Sequence, residues 1–256
     1  VSHFSILRQA GTSHMEEKVV LQYALMTDVP IQSTRIESIV SAADSLRAGT
    51  TLPVGTVEFV RAAMELAGIA EPANLSYPEV LRPWLYRKLE KRAAGSVLGH
   101  YFIKPTATKR FTGFVFDTLS NPEHLSFHDR AQYNAFLSMP ADEKVWVSEP
   151  VTWLSEFRYY VLDGKVLGNG RYDDGPDDAS EPDEDAVGQM AQLMAREPDA
   201  PAAFSLDVGV LDTGETALIE CNDAWALGYY KGTLSNRDYV AMLWRRWEQL
   251  GQAQRA

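Results

Sequence analysis

Two runs, Ala203–Leu211 and Glu215–Asn222, flank Asp212-Thr213-Gly214 and constrain this 256-residue chain more than any other feature. Gly just after Asp and Thr favours a tight turn, so the stretch reads as a β-hairpin. With Thr213 and Gly214 as the two loop residues, Asp212 faces Glu215, and Asp207 lies directly opposite Glu220. Side chains alternate across a strand, so each face follows from that register. Leu206, Val208, Val210, Ala217, Ile219 and Cys221 share an apolar face that is expected to be buried. Asp207 and Glu220 share the other face, with Asn222 two residues further on.

Like charges directly opposite each other on a sheet are destabilising. A cation between them relieves the repulsion, and two carboxylates plus an amide oxygen suit a hard divalent ion such as Mg2+. A pair of solvated surface acids is the alternative. The order Asp207, Gly-bearing turn, Glu220-Cys221-Asn222 resembles the metal-binding end of the ATP-grasp superfamily. That resemblance implies that Asp207, Glu220 and Asn222 hold magnesium ions bridging the phosphates of ATP.

The remaining chain is read for a nucleotide site. His100–Pro105 reads as a strand that Pro105 ends, followed by a loop with Lys109 and Arg110 and a second strand over 111–119. Lys104, Lys109 and Arg110 around one hairpin can donate charge-assisted hydrogen bonds to a polyphosphate. Lysines guarding an edge strand would look the same. The setting of Lys104 resembles the first phosphate-contacting lysine of ATP-grasp enzymes, with Lys109 or Arg110 as the second. Lys144–Pro150 is another strand. It is similar to the segment that passes the adenine ring, which implies Glu149 as ribose ligand and Trp146 or Val147, with Val145, flanking the base.

Asp163-Gly164 is a strong two-residue hairpin turn. It pairs Leu162 with Lys165, places Arg158 opposite Asn169, and sets Glu156 opposite Arg171. An exposed Glu156–Arg171 pair is worth about 0.2–1 kcal/mol. Both residues are counted with the nucleotide-binding set. Arg158 then has no acidic partner and is free to bind a phosphate or carboxylate. Phe157, Tyr159, Val161 and Val166 occupy the opposite, core face. The string SEFRYYVLDGKVLGNGRY resembles the E-x-R strand of a small prokaryotic and phage ATP-grasp clade named for its arginine and two lysines, which implies that Arg158 is the arginine. Lys231, after the metal hairpin, is a candidate to steady the γ-phosphate or the acceptor, or a surface residue.

The N-terminal part is expected to be a small Rossmann-like unit over 16–98, with the ATP-grasp domain over 99–256. Val19–Met26 is a continuous apolar run and reads as the first buried strand. Ile31–Leu46 reads as a helix with Ile36, Ile39, Val40, Ala43 and Leu46 as its stripe. A second helix covers Val57–Ala67, capped by Thr56 and followed by Gly68. There Thr56 and Glu58 are either cap and first-turn acid or ligand contacts. Leu81–Ala94 reads as a third, basic helix with a solvated face. Residues 1–15 show no periodicity, and Ser13-His14-Met15 reads as an artificial junction, so the fold is expected to start after them.

Further on, 129–137, 186–196 and 236–250 read as helices, and the eight acids between Asp173 and Asp185 as a solvated loop. His124 and His128 have helical spacing without a partner that completes a zinc site.

The net charge of −11 argues against unassisted binding to a nucleic-acid backbone. No apolar run approaches the roughly 20 residues that cross a bilayer, and the first residues do not resemble a secretory signal. Cys221 is the sole cysteine, so no internal disulfide forms, which fits a cytoplasmic setting.

The whole implies an α+β ATP-grasp fold. By resemblance, the expected activity is ATP-dependent ligation of a carboxylate to an amine or thiol through an acyl phosphate, with ATP and Mg2+ as cofactors. A nucleotide sensor and a phosphotransferase are the alternatives for the same cleft. Small-molecule or peptide carboxylates and amines are the expected substrates, a modified nucleic-acid acceptor is compatible, and no membrane partner is expected. Oligomeric state is open, with a dimer compatible.

Overall fold

The computed structural model describes residues 4–107 and 111–254. Its strands form three sheets. The first is parallel, in the order β2-β1-β3, from β1 (Ser5–Gln9), β2 (Ile31–Thr34) and β3 (Thr51–Val54). Helix α1 (Met15–Thr27) connects β1 to β2, a 3-10 segment (Ile36–Ala42) and α2 (Ala43–Arg47) lead to β3, and α3 (Val57–Ala67) follows.

Three expectations are corrected here. The chain does not begin its fold after residue 15: Ser5–Gln9 is the central strand of this sheet, with Ile6 and Leu7 buried. A five-residue strand covered on both faces has no alternation to reveal it. Val19–Met26 is helical, not a strand; Val19, Val20 and Ala24 face the core while Leu25 and Met26 are 73% and 80% exposed. A continuous apolar run does not distinguish the two. The predicted helix over Ile31–Leu46 is split into β2, the 3-10 segment and α2, and Val40 faces solvent. Helix α3 matches its expected bounds. The Thr56 hydroxyl accepts from the Phe59 N–H at 3.3 Å, and Gly68 adopts a left-handed φ of 73°.

The second sheet is antiparallel, in the order β4-β7-β5-β6, from β4 (Leu89–Ala93), β5 (His100–Pro105), β6 (Phe114–Asp117) and β7 (Lys144–Ser148). Helix α4 (Phe127–Leu137) covers one face, with Phe136 among Phe111, Phe114 and Phe116. The predicted basic helix over Leu81–Ala94 is instead a 3-10 turn (Glu79–Trp84) followed by β4. Pro83 removes a helical donor, and Tyr86 at φ 47° ends the turn. Pairing of β4 with β7 then takes the chain as a strand.

The third sheet has the order β11-β10-β8-β9, from β8 (Trp153–Leu162), β9 (Lys165–Arg171), β10 (Ala203–Leu211) and β11 (Thr216–Asp223). One face packs on α5 (Glu184–Ala195) through Phe157, Tyr159, Val161, Leu206 and Val208 against Val187, Met190 and Met194. On the other side α6 (Asn236–Ala253) joins Tyr160 and Ala203 to the core of the N-terminal unit. One hydrophobic cluster thereby unites the first and third sheets.

Both hairpins contain a bulge that local register reading does not show. At β10–β11, Asp207 does lie opposite Glu220, but the loop is one residue longer than expected: Leu211 and Glu215 close it, with Gly214 at φ 99°. A β-bulge at Ile219 absorbs the difference. Leu218 therefore enters the core and Ile219 is turned out of it, contrary to the predicted buried face. At β8–β9 the Asp163-Gly164 turn pairs Leu162 with Lys165 as expected, but a bulge beyond Val161 places Arg158 opposite Gly170. Arg171 lies opposite Phe157, and it pairs with Asp173 at 2.7 Å rather than with Glu156.

Candidate functional site

The second and third sheets close on a cleft of about 990 Å³, bounded on a third side by the N-terminal end of α3. At its floor, two cations and two carboxylates alternate. Arg158 (β8) donates from Nε and Nη2 to Oδ1 and Oδ2 of Asp207 (β10) at 2.7 and 2.6 Å. Lys104 (β5) pairs with Glu220 (β11). The Asn222 amide donates to Asp207 at 3.1 Å and to Glu220 at 3.3 Å, tying the two pairs together.

Arg158 is thus not the unpartnered cation expected from its hairpin. Strand β10 lies beside β8 in the sheet and sets Asp207 directly opposite Arg158. That adjacency joins residues 49 apart in sequence, and no turn signal encodes it. Burial opposes the Arg158 charge, but the hydrogen bonds and charge of Asp207 outweigh it and hold its pKa above the ordinary guanidinium value. Burial pushes the Lys104 ammonium down to about 8, against the pull of the Asp207 charge and with the help of Arg87.

Glu156 and Tyr172 stand at the side of this floor. Burial raises the Glu156 carboxyl pKa; a hydrogen bond from Tyr172 opposes the rise, and Asp173 and Asp207 add to it. Tyr172 stacks on Tyr230 at 5.4 Å, and the Arg158 guanidinium lies 5.0 Å from the Tyr230 ring. Asp173 anchors the acidic segment: it accepts from Arg171, from the Glu156 N–H and from the Gly175 N–H, all at 2.7 Å. Its carboxyl is held well below the usual range, chiefly by Arg171.

Other candidates fall away from the floor. Glu149 is at the rim, exposed, and accepts from the Lys88 N–H at 2.8 Å. Val147 is buried in the core of the second sheet, together with Val145. Trp146 lies on the opposite face, edge-on to Tyr77 at 5.1 Å, and does not line the cleft. Arg171 bonds to Asp173 and to the Pro176 carbonyl outside the cleft, and Lys231 is exposed away from it. Thr56 lines the cleft as the α3 cap. Lys109 and Arg110 lie outside the described residues. Among the described residues, no three His, Cys, Asp or Glu side chains are grouped to hold a metal, so any metal here rests on two acids and an amide.

Two cleft residues are hidden in the sequence. The basic-helix reading gives Arg87 a solvated face. Its guanidinium instead lies in the cleft between the rings of Tyr77 (5.9 Å) and Trp153 (5.5 Å). Tyr77, on the segment joining the N-terminal unit to the second sheet, also has Lys104 5.3 Å from its ring. No periodic pattern marks either residue; the Tyr-Pro dipeptide signals only a break.

Two antiparallel sheets clasping a polar cleft after a small parallel unit define an ATP-grasp fold. The chain belongs to family 3 of the ATP-grasp domain clade named for its arginine and two lysines, and the model of that family matches residues 38–248. No curated protein sequence matches it. Among solved structures it is similar to the D-cycloserine synthetase DcsG, at 13% identity and a TM-score of 0.55, covering 98% of this chain and 99% of that one. It is similar to the ATP-grasp ligase PsnB complexed with minimal precursor, at 12% identity and a TM-score of 0.54, covering 94% and 98%. A D-alanine–D-alanine ligase from Bacillus anthracis complexed with ATP aligns at 12% identity and a TM-score of 0.54, over 99% of this chain and 97% of that one. At these identities the likeness carries the fold. No described helix is long and apolar enough to cross a membrane.

Proposed function

We propose that this chain is an ATP-dependent ligase that joins a carboxylate to an amine or thiol, with Mg2+ at Asp207, Glu220 and Asn222. One observation carries the reading: Lys104–Glu220 and Arg158–Asp207, bridged by Asn222, lie together at the floor of a cleft large enough for a nucleotide and a second substrate. The donor set fits a hard divalent cation, with two carboxylates and one amide on adjacent strands. Bound there, magnesium would supply charge neutralisation for the phosphates.

The chain's own groups do the rest by position and charge. Lys104 and Arg158 are already oriented by the carboxylates they neutralise, and both face a polyphosphate without reorganising the strands. Each acid carries a matching cation when no ligand is bound, so the floor avoids the cost of two facing, unpaired carboxylates. Tyr77 and Trp153 brace the cations from the sides and keep them off solvent. Transfer of the γ-phosphoryl group to the substrate carboxylate forms an acyl phosphate and ADP; attack by the amine then releases phosphate.

Calorimetric titration of ATP with and without Mg2+ tests the site, beside Asp207→Asn. Magnesium-dependent binding that is weakened in the variant, followed by ADP release with a carboxylate and amine pair, is the expected result. Binding without ADP from any pair identifies a nucleotide sensor instead. A stable phosphorylated product identifies a phosphotransferase. Absence of ATP binding by the folded protein overturns the reading.

A further inference from the structure

The bulge at Ile219 decides which side chains of β11 face the cleft. From the turn to Val208 the hairpin keeps one register, with Val210 opposite Thr216 and Val208 opposite Leu218. Continued without interruption, it would set Ile219 opposite Asp207 and turn Glu220 toward the core and Cys221 toward the cleft side, since a one-residue slip exchanges the faces of a strand. The extra residue at the bulge restores Glu220 to its place opposite Asp207.

Strand β11 is an edge strand, so its outer carbonyls have no ladder partner. Arg87 fills that place. Its Nη1 donates to the Leu218 carbonyl at 2.9 Å and its Nη2 to the adjacent Ile219 carbonyl at 3.2 Å, while Nη1 also reaches the Leu85 carbonyl at 2.9 Å. In a regular strand successive carbonyls point to opposite sides, so one guanidinium cannot take two in a row. The bulge brings both to one side, where the planar fork fits them. Two residues further on, the Cys221 N–H donates to the Ser76 carbonyl at 2.7 Å on the same edge. Among the described residues Arg87 makes no ion pair, so these carbonyls and the two flanking rings are its partners.

We propose that Arg87 is a positioning residue that locks the register of β11 and thereby presents Glu220 and Asn222 to the cleft. The consequence for metal binding rests on the proposed magnesium site; the register lock itself does not. Cys221, the sole cysteine, reports the register directly because it is fully buried in the locked form.

The experiment compares wild type, Arg87→Met, Arg87→Lys, deletion of Ile219, and the Met variant with that deletion. Each is checked for folding by circular dichroism, then for Cys221 alkylation and Mg2+-dependent ATP binding. Arg87→Met is expected to label at least about tenfold faster, as the thiol leaves its buried site. Its Mg2+ affinity with ATP should fall about 10–100-fold, with Mg2+-free ATP binding unchanged. Deleting Ile219 removes the residue that needs the bulge, so the combined variant should recover both protection and Mg2+ affinity. Arg87→Lys, which keeps charge but not the fork, should not recover them. A folded Arg87→Met protein with protected Cys221 and unchanged Mg2+ dependence overturns the proposal. If Arg87→Met does not fold, folding of the combined variant supports the lock, and failure of the combined variant while the deletion alone folds overturns it. Labelling that behaves as expected in a protein without Mg2+-dependent binding leaves the lock standing and removes the magnesium site.

Discussion

Arg158 and Asp207 form a two-pronged ion pair across neighbouring strands, with the Asp207 residue only 2% exposed. The pair is both part of the candidate site and part of the sheet. Removing the acid's charge leaves a largely buried guanidinium with one weakened partner, a loss of about 3 kcal/mol when such a pair is broken. Asp207→Asn is therefore expected to lower stability by that amount in urea unfolding and to abolish Mg2+-dependent ATP binding. Glu220→Gln should lose the Mg2+ dependence at smaller cost, because Glu220 and its partner Lys104 are more accessible. Equal destabilisation by the two variants would show that Asp207 has no special structural role.

Lys104 gives the cleft a pH dependence. With its pKa lowered to about 8, the ammonium is largely charged at pH 7 and largely neutral at pH 9. The charged form is the one that binds phosphate, so ATP affinity should be full below pH 7 and fall as the pH rises through 8. Binding at pH 9 should take up a proton, visible as a binding enthalpy that changes with the ionisation enthalpy of the buffer. Lys104→Arg, which stays charged, should bind ATP with no such proton uptake. Buffer-independent enthalpy in wild type at pH 9 would contradict the lowered value.

These residues show what the sequence does and does not make legible. The Asp207–Glu220 pairing is readable because a short turn sets it, and α3 is readable because Thr56 and Gly68 are strong local signals. The Arg158–Asp207 pair is not, because it depends on β8 lying beside β10, a tertiary adjacency. Bulges at Ile219 and beyond Val161 escape for a related reason: an extra residue in a strand carries no compositional mark when apolar residues flank it. Bulge-free readings of the two hairpins therefore agree with the structure only in part. One regains its register at Asp207 and the other loses it at Arg158. Arg87 is misplaced because a basic stretch with apolar neighbours has the pattern of a surface helix until Pro83 and pairing with β7 override it.

Glu156 offers a test of the cleft's polarity. Its folded-state pKa is raised by burial, so ionisation is less favourable in the folded than in the unfolded chain. Its contribution is most favourable below the unfolded carboxyl pKa and is lost as pH rises through the raised folded value. Glu156→Gln should therefore gain stability relative to wild type between pH 4 and pH 7, measured as the difference between their urea midpoints. Tyr172→Phe removes the hydrogen bond that opposes the shift and should raise the Glu156 pKa further. A wild-type-to-Gln difference that is flat across this range would refute the assignment.

Gly209 links the packing of the third sheet to the cleft wall. A Cβ built there would stand 2.5 Å from the Ser155 carbonyl oxygen and 2.6 Å from the Trp153 ring. The carbonyl belongs to β8, which pairs with β10 at this point, so it cannot retreat without disturbing the ladder that carries Arg158. The Trp153 ring cannot retreat freely either, because it flanks the Arg87 guanidinium. Gly209→Ala is expected to cost about 1–3 kcal/mol by overpacking and to weaken ATP binding although the substituted atom lies outside the cleft. Pairing the stability loss with a change in Trp153 fluorescence on ATP titration identifies the route. Full stability with unaltered binding would mean that the wall yields, and that Trp153 is not held against Arg87.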